Sequence, residues 1–190
     1  MLRVDVLKNR RFLIGTIIGM LVQGALLAAG ILMPIYVQSL HGLSATVSGL
    51  VLMPGAILMG VMNPIAGKWF DRHGPRRMAI VGMSLLTLTT FAFAILNLTS
   101  SIIYLTIVYT VRMFSMALVN MPITTWGMNA LDNKVMNHGT SVNNTLRQVA
   151  GSLGTAIIIA VSTQVQNFAT PGFGAAQGTM FGINAAFLVC

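Results

Sequence analysis

The sequence predicts an all-α membrane protein with five complete transmembrane helices and the beginning of a sixth. Of its 190 residues, 55 % are apolar and 7 % are charged, whereas soluble domains carry about 25 % charged residues. Apolar runs recur along the chain, each close to the ~20 residues that a helix needs to cross hydrocarbon. Basic residues cluster between alternate runs, which is the pattern of loops on one side of a bilayer.

The apolar runs define the predicted spans. They cover residues 12–35, 46–66, 78–96, 102–123 and 146–165. The first run follows a basic segment, as in a signal peptide, but it is too long for one and four more runs follow. A sixth run begins at about residue 178 and reaches Cys190, which is short of the ~20 residues of a span. We therefore expect a fragment cut inside a span, with Met1 as an internal methionine of a longer protein.

The distribution of charge predicts the orientation. Ten of the eleven basic residues lie in residues 3–11, 68–77 and 134–147. The alternate segments, residues 36–45, 97–101 and 166–177, hold none. The positive-inside rule then places the N-terminus in the cytoplasm, with five complete crossings. The expected location is the cell (plasma or inner) membrane, as a multi-pass protein. Trp69 and Trp126 fall at predicted cytoplasmic ends and Tyr36 and Tyr104 at predicted outer ends, as in aromatic belts.

Composition also argues against several classes of function. The net charge is +8, but no basic stripe with interleaved aromatics is present, so no nucleic acid is expected as a partner. One cysteine and three dispersed histidines do not make a metal site, and no cofactor is expected. The acidic residues are Asp5, Asp71 and Asp132, all in predicted cytoplasmic segments. An enzyme is therefore not expected. If the full protein couples to protons, the carboxylate that carries them is expected in the part beyond this sequence.

One charge lies inside a predicted span. Arg112 falls near the middle of the fourth run, in "YTVRMFSMALVNMP". An arginine there costs about 2.5–3.5 kcal/mol on insertion scales, so it is expected to face a cavity or a partner. Two interpretations stay open: a pathway or gating residue, and a structural arginine bonded to a neighbouring helix.

The fifth run begins with a polar stripe, "SVNNTLRQVAGSLGTAI". Asn144, Gln148, Gly151 and Thr155 recur at three- and four-residue spacing, which places them on one helical face. Arg147 adjoins this face. The stripe predicts either a surface that faces a cavity or pathway or a helix-packing face whose arginine extends to the interface.

The charged segment "GKWFDRHGPRR" is predicted to be a cytoplasmic loop between the second and third runs. Gly67 is expected to end one helix, and Gly74 with Pro75 to begin the next. Its pattern, G-x-x-x-D-R-x-G-x-R-R, resembles the signature loop of the major facilitator superfamily. The matching residues are Gly67, Asp71, Arg72, Gly74, Arg76 and Arg77. Together with "LRVDVLKNRRFLIG" and "NNTLRQVAGSLGTAI", the chain resembles the C-terminal half of the fourteen-helix drug:proton antiporters of the EmrB/QacA type.

This resemblance implies a six-helix half-bundle of the major facilitator superfamily. It implies an N-terminal half of the same polypeptide as partner, with a substrate cavity between the halves, and spans nine to thirteen plus part of fourteen in this chain. It further implies efflux of small, lipophilic compounds coupled to protons, and a charge network of the signature loop that acts as a conformational latch. The alternatives are a transporter of a sugar, an amino acid or a peptide, and a non-functional membrane fragment.

Overall fold

The computed structural model describes residues 4–96, 100–132 and 135–189, with the side chains of Val4, Pro75 and Phe173 excepted. Arg3, Lys134 and Cys190, which the sequence placed in the basic clusters and the sixth run, lie outside the described residues. A short 3-10 helix, Val4–Lys8, precedes six α-helices. The helices are α1 Arg10–His41, α2 Ala45–Gly74, α3 Arg76–Ala94, α4 Ile102–Met128, α5 Met136–Phe173 and α6 Ala175–Val189.

The first five of these helices are long and apolar enough to cross a membrane. All of them except α3 are longer than the predicted runs, because hydrogen-bonded helix continues beyond the apolar window. Helix α5 begins at Met136 rather than at about residue 146, and α2 continues to Gly74 rather than ending at about residue 66. A helix of 30 residues such as α2 is about 45 Å long, so its ends extend past an apolar layer of ~30 Å. Polar residues at those ends do not interrupt the helix.

The predicted loop around Asp71 is therefore wrong in its length. Gly67 lies inside α2, and the break is confined to Gly74, with φ 75° and ψ 163°. This conformation is essentially restricted to glycine. Gly174, between α5 and α6, has nearly the same conformation, with φ 87° and ψ 164°. Helices α2 and α3 thus meet at a glycine, and helices α5 and α6 meet at another glycine of nearly the same geometry.

Helices α1 and α4 form the centre of the bundle, and they are the most buried of the five long helices. Glycines allow α1 to approach its neighbours closely. A Cβ atom on Gly15 would lie 3.2 Å from Cα of Gly127 in α4, and one on Gly154 in α5 would lie 3.5 Å from Cα of Gly24. Such contacts between small residues let membrane helices pack by van der Waals forces.

One predicted position in the aromatic belts is also wrong. Tyr36 is fully buried in the main apolar cluster, and its ring centroid lies 5.5 Å from that of His41. Trp69 and Tyr104 are exposed, as belt residues are. We call the end of the bundle that holds Arg10, Lys68 and Arg77 the basic end; α1 begins there, and α2 meets α3 there.

Candidate transport site

Arg147 is the centre of a polar network that joins three helices within the apolar bundle. Its guanidinium nitrogens donate to Asn120 Oδ1 at 2.5 Å and to Thr124 Oγ1 at 2.9 Å, both in α4. A further bond of 3.3 Å reaches Gln23 Oε1 in α1. The network therefore ties α1, α4 and α5 together through one cation and three neutral acceptors.

Gly19 of α1 has no side chain and so leaves room for this cation. A Cβ atom on Gly19 would lie 3.4 Å from Cδ of Arg147, so a larger side chain would push the guanidinium away. The sequence predicted Arg147 as a site residue but not its partners. The available signal was the rarity of amides inside apolar runs, and Gln23 and Asn120 are two such amides.

Arg112 forms a second polar centre, about two helical turns away from Asn120 along α4. It is fully buried. Nη1 donates to Thr90 Oγ1 of α3 at 2.5 Å, and Nη2 donates to the carbonyl oxygen of Ala25 in α1 at 3.4 Å. The guanidinium carbon lies 5.8 Å from the centre of the Phe187 ring in α6. Arg112 thus contacts three neighbouring helices, and the structure does not bring it together with Arg147.

An open groove of about 540 Å³ lies between α1, α4 and α5. Leu27 and Ile31 form one wall, Tyr109 lies on α4, and Ser152 and Thr155 belong to α5. Gly55 of α2 makes space for Tyr109, because a Cβ atom there would lie 2.7 Å from the tyrosine Cδ1. The groove is mainly apolar with a few hydroxyl groups, which is the usual character of a site for a small lipophilic molecule.

The four residues of the predicted stripe on α5 differ in burial: two are buried and two are exposed. Gly151 and Thr155 are buried against α1, and the Thr155 hydroxyl donates to the carbonyl oxygen of Gly151 at 2.7 Å. Asn144 and Gln148 are exposed. Nearer the basic end α5 packs on α1 through other residues: Gly139 and Val142 lie beside Phe12, and Arg147 bonds to Gln23.

An exposed line of small and polar residues continues along α5 at four-residue spacing. It consists of Asn144, Gln148, Ser152, Ala156, Ala160 and Gln164. The neighbouring exposed line is apolar and consists of Val149, Leu153 and Ile157. Polar side chains in the membrane face protein or water rather than lipid. The first line therefore marks the side of α5 that is turned away from lipid, and Ser152 places the groove on that side.

The signature segment lies at the basic end, exposed to its surroundings. Asp71, Arg72, Arg76 and Arg77 are all exposed. Within the described part of the chain, Asp71 forms no hydrogen bond or ion pair with any of these arginines. The structure thus presents the predicted latch residues on a surface, without showing the network itself.

Five helices long and apolar enough to cross a membrane, packed around two hydrogen-bonded arginines, define a multi-pass membrane protein. The sequence profile of the Major Facilitator Superfamily matches residues 2–155. The chain belongs to the Major Facilitator Superfamily, and its helices form a half-bundle of that fold. Membership of this family confirms the expectation of a transport protein rather than an enzyme.

Several bacterial relatives are similar to most of the chain. The MFS-type transporter YcnB of Bacillus subtilis is 40 % identical over 179 residues, which cover 94 % of this chain and 38 % of YcnB. The lincomycin resistance protein LmrB of the same organism is 34 % identical, over 88 % of this chain and 35 % of LmrB. The riboflavin transporter RibZ of Clostridioides difficile is 27 % identical, over 78 % of this chain and 33 % of RibZ. The chain spans about a third of the length of each of these proteins.

Proposed function

We propose that this chain is the C-terminal half of a fourteen-helix drug:proton antiporter that exports small lipophilic compounds from the cell by alternating access. The observation that supports this most directly is the groove between α1, α4 and α5, with its apolar walls and its Tyr109, Ser152 and Thr155 hydroxyls. The similarity to a lincomycin resistance protein agrees with this substrate class.

In this proposal the small and polar line of α5 faces the cavity or the N-terminal half of the same polypeptide. Arg147 holds α1, α4 and α5 in one arrangement beside the groove, through its bonds to Gln23 and Asn120. The described acidic residues lie at helix ends or between helices. Proton coupling therefore depends on a carboxylate contributed by the other half.

We also propose that the exposed signature segment acts as the latch. Asp71 and the arginines beside it have room to form ion pairs with a second half that approaches the basic end. Closure on the basic side would form these pairs, and opening would break them. The basic end would face the cytoplasm of the cell membrane.

The test of the proposed function joins this chain to the N-terminal half of YcnB and expresses the fusion in bacteria that lack their own drug exporters. We expect lower accumulation of ethidium and lincomycin, and a protonophore should abolish the difference. Replacing Ser152 and Thr155 with leucine should lower export without lowering the amount of fusion in the membrane. The proposal is wrong if the well-expressed fusion exports neither compound.

A second candidate is transport of a polar solute, and the similarity to the riboflavin transporter RibZ favours it. Uptake and export of labelled riboflavin, a sugar and an amino acid by the same fusion distinguish the two. Transport of one of these solutes without any effect on ethidium would support the second candidate over the first.

Orientation has its own experiment. Single cysteines are placed at Ser44 and at Lys68, after Cys190 has been replaced with serine, and intact cells are treated with a membrane-impermeant maleimide. We expect labelling at residue 44 alone, because it lies opposite the basic end. Labelling at residue 68 in intact cells would contradict a cytoplasmic basic end.

A further inference from the structure

A continuous groove follows the outside of the bundle between α1 and α3. At the basic end it forms a cavity of about 320 Å³ between α1, α3 and α4, which includes Arg76 and Trp126. Further along, a cavity of about 380 Å³ extends to Thr90 and Phe187. Ile18 and Met83 line both cavities, so the two form one groove. We call it the α1–α3 groove.

The α1–α3 groove opens away from the bundle rather than into it. Leu21 and Phe91 line it and are 71 % and 59 % exposed. Ile18 and Leu21 lie on the face of α1 opposite Leu27 and Ile31, which line the groove proposed for transport, so we take this side of the bundle to face the hydrocarbon of the bilayer. The substances that reach this groove are therefore those dissolved in the membrane.

The length of the groove matches one leaflet of a bilayer. From Arg76 to Thr90, α3 advances about 21 Å at 1.5 Å per residue. Half of a bilayer, with its headgroup layer, measures about 20–22 Å. An acyl chain that enters beside Met83 would have its headgroup at Arg76.

The basic end of the groove has the chemistry of an anionic headgroup site. Arg76 is exposed, and within the described residues it has no hydrogen-bonding or ion-pair partner. Trp126, beside it in the same cavity, is a residue type that anchors at the level of the headgroups. Basic pockets between spanning helices bind acidic lipid headgroups. The rest of this cavity has apolar walls, including Ile14, Ala79 and Ile123.

We propose that the α1–α3 groove binds one anionic phospholipid, with its phosphate on Arg76 and an acyl chain along Ala79 and Met83. The guanidinium has five N–H donors, so a phosphate contact leaves donors for a role of Arg76 in the latch. The lipid would hold α3 against α1 at the end of the bundle where α2 meets α3. This site is separate from the groove proposed for transport, because α1 lies between the two.

The test uses the complete polypeptide purified from nanodiscs that contain equal amounts of phosphatidylglycerol and phosphatidylcholine with identical acyl chains. Native mass spectrometry counts the lipids that stay bound. One phosphate–arginine contact at a membrane surface corresponds to about fivefold selectivity for phosphatidylglycerol. Arg76→Gln should lower the ratio to about one. Lys68→Gln is the matched control, since it removes the same charge at the basic end outside the groove, and it should leave the ratio unchanged.

A second pair of variants tests the apolar part of the groove. Ala79→Phe and Met83→Trp should fill it and lower the retention of both lipids, while the melting temperature reports that each variant is folded. Glycerol phosphate, a soluble headgroup, should not displace the lipid, because it lacks the acyl chain. Equal retention of both lipids by the unmodified protein would overturn the proposal. Equal effects of Arg76→Gln and Lys68→Gln, unchanged retention in both filled variants, or displacement of the lipid by ethidium would do the same.

Discussion

The Arg147 network makes a quantitative prediction about the stability of the bundle. Asn120→Ala removes the acceptor of its shortest bond, and the free energy of unfolding should fall. Hydrogen bonds between side chains of membrane helices average about 0.6 kcal/mol, with a maximum near 1.7 kcal/mol. Because the donor is charged, we expect a loss of about 1.5 kcal/mol, near that upper limit.

The coupling between the two residues separates this bond from other effects of the substitution. Arg147→Met removes the cation, and a subsequent Asn120→Ala change should then cost about 1 kcal/mol less than it does alone. The assay is reversible unfolding in mixed micelles, followed by helix content and analysed as a double-mutant cycle. Ser152→Ala combined with Arg147→Met is the matched control, because the Ser152 hydroxyl donates to the Gln148 carbonyl of its own helix. Additivity of Asn120→Ala and Arg147→Met within about 0.5 kcal/mol would refute the reasoning.

Three further predictions concern single positions. Thr90→Val should lower stability by about 1.5 kcal/mol, near the same upper limit, because Arg112 loses one of its acceptors. Thr87→Val, whose hydroxyl bonds within α3, should change little, and equal melting temperatures of the two variants would contradict this. Gly154→Leu should separate α5 from α1 and lower the melting temperature. Gly60→Leu places its side chain in open space and should leave the melting temperature unchanged. An unchanged melting temperature of Gly154→Leu would contradict the close contact between α1 and α5. Gly74→Ala forces an alanine into a conformation that favours glycine, and it should lower the free energy of unfolding by about 1–3 kcal/mol. Amide hydrogen exchange around the α2–α3 joint should become faster. Unchanged exchange there would contradict the predicted strain.

The number and order of the helices were predictable because each apolar run is near the length that hydrocarbon requires. Their ends were not. Residues 136–145 and 67–73 are polar enough to be read as loops, yet they continue α5 and α2, since a helix that leaves the apolar layer still satisfies its own backbone hydrogen bonds. Hydropathy reports the surroundings of a segment and not the state of its backbone.

The candidate site was predictable in part for a similar reason. Arg112 and Arg147 are conspicuous as cations beside or within apolar runs, and both prove to be hydrogen-bonded across helices. Their partners depend on which faces of α1 and α4 meet, and that is set by contacts such as Gly15 with Gly127. One-dimensional spacing identifies a face of a helix but not the helix opposite to it. Asn144 and Gln148 illustrate the limit, since they share the predicted face with Gly151 but are exposed, because α5 packs on α1 at their level through Val142 and Arg147.

The matching joints at Gly74 and Gly174 have a consequence for how the protein enters the membrane during synthesis. Each joint has one non-helical residue, so almost no flexible chain separates the two helices on either side of it. We therefore expect α2 with α3, and α5 with α6, to enter the membrane as pairs.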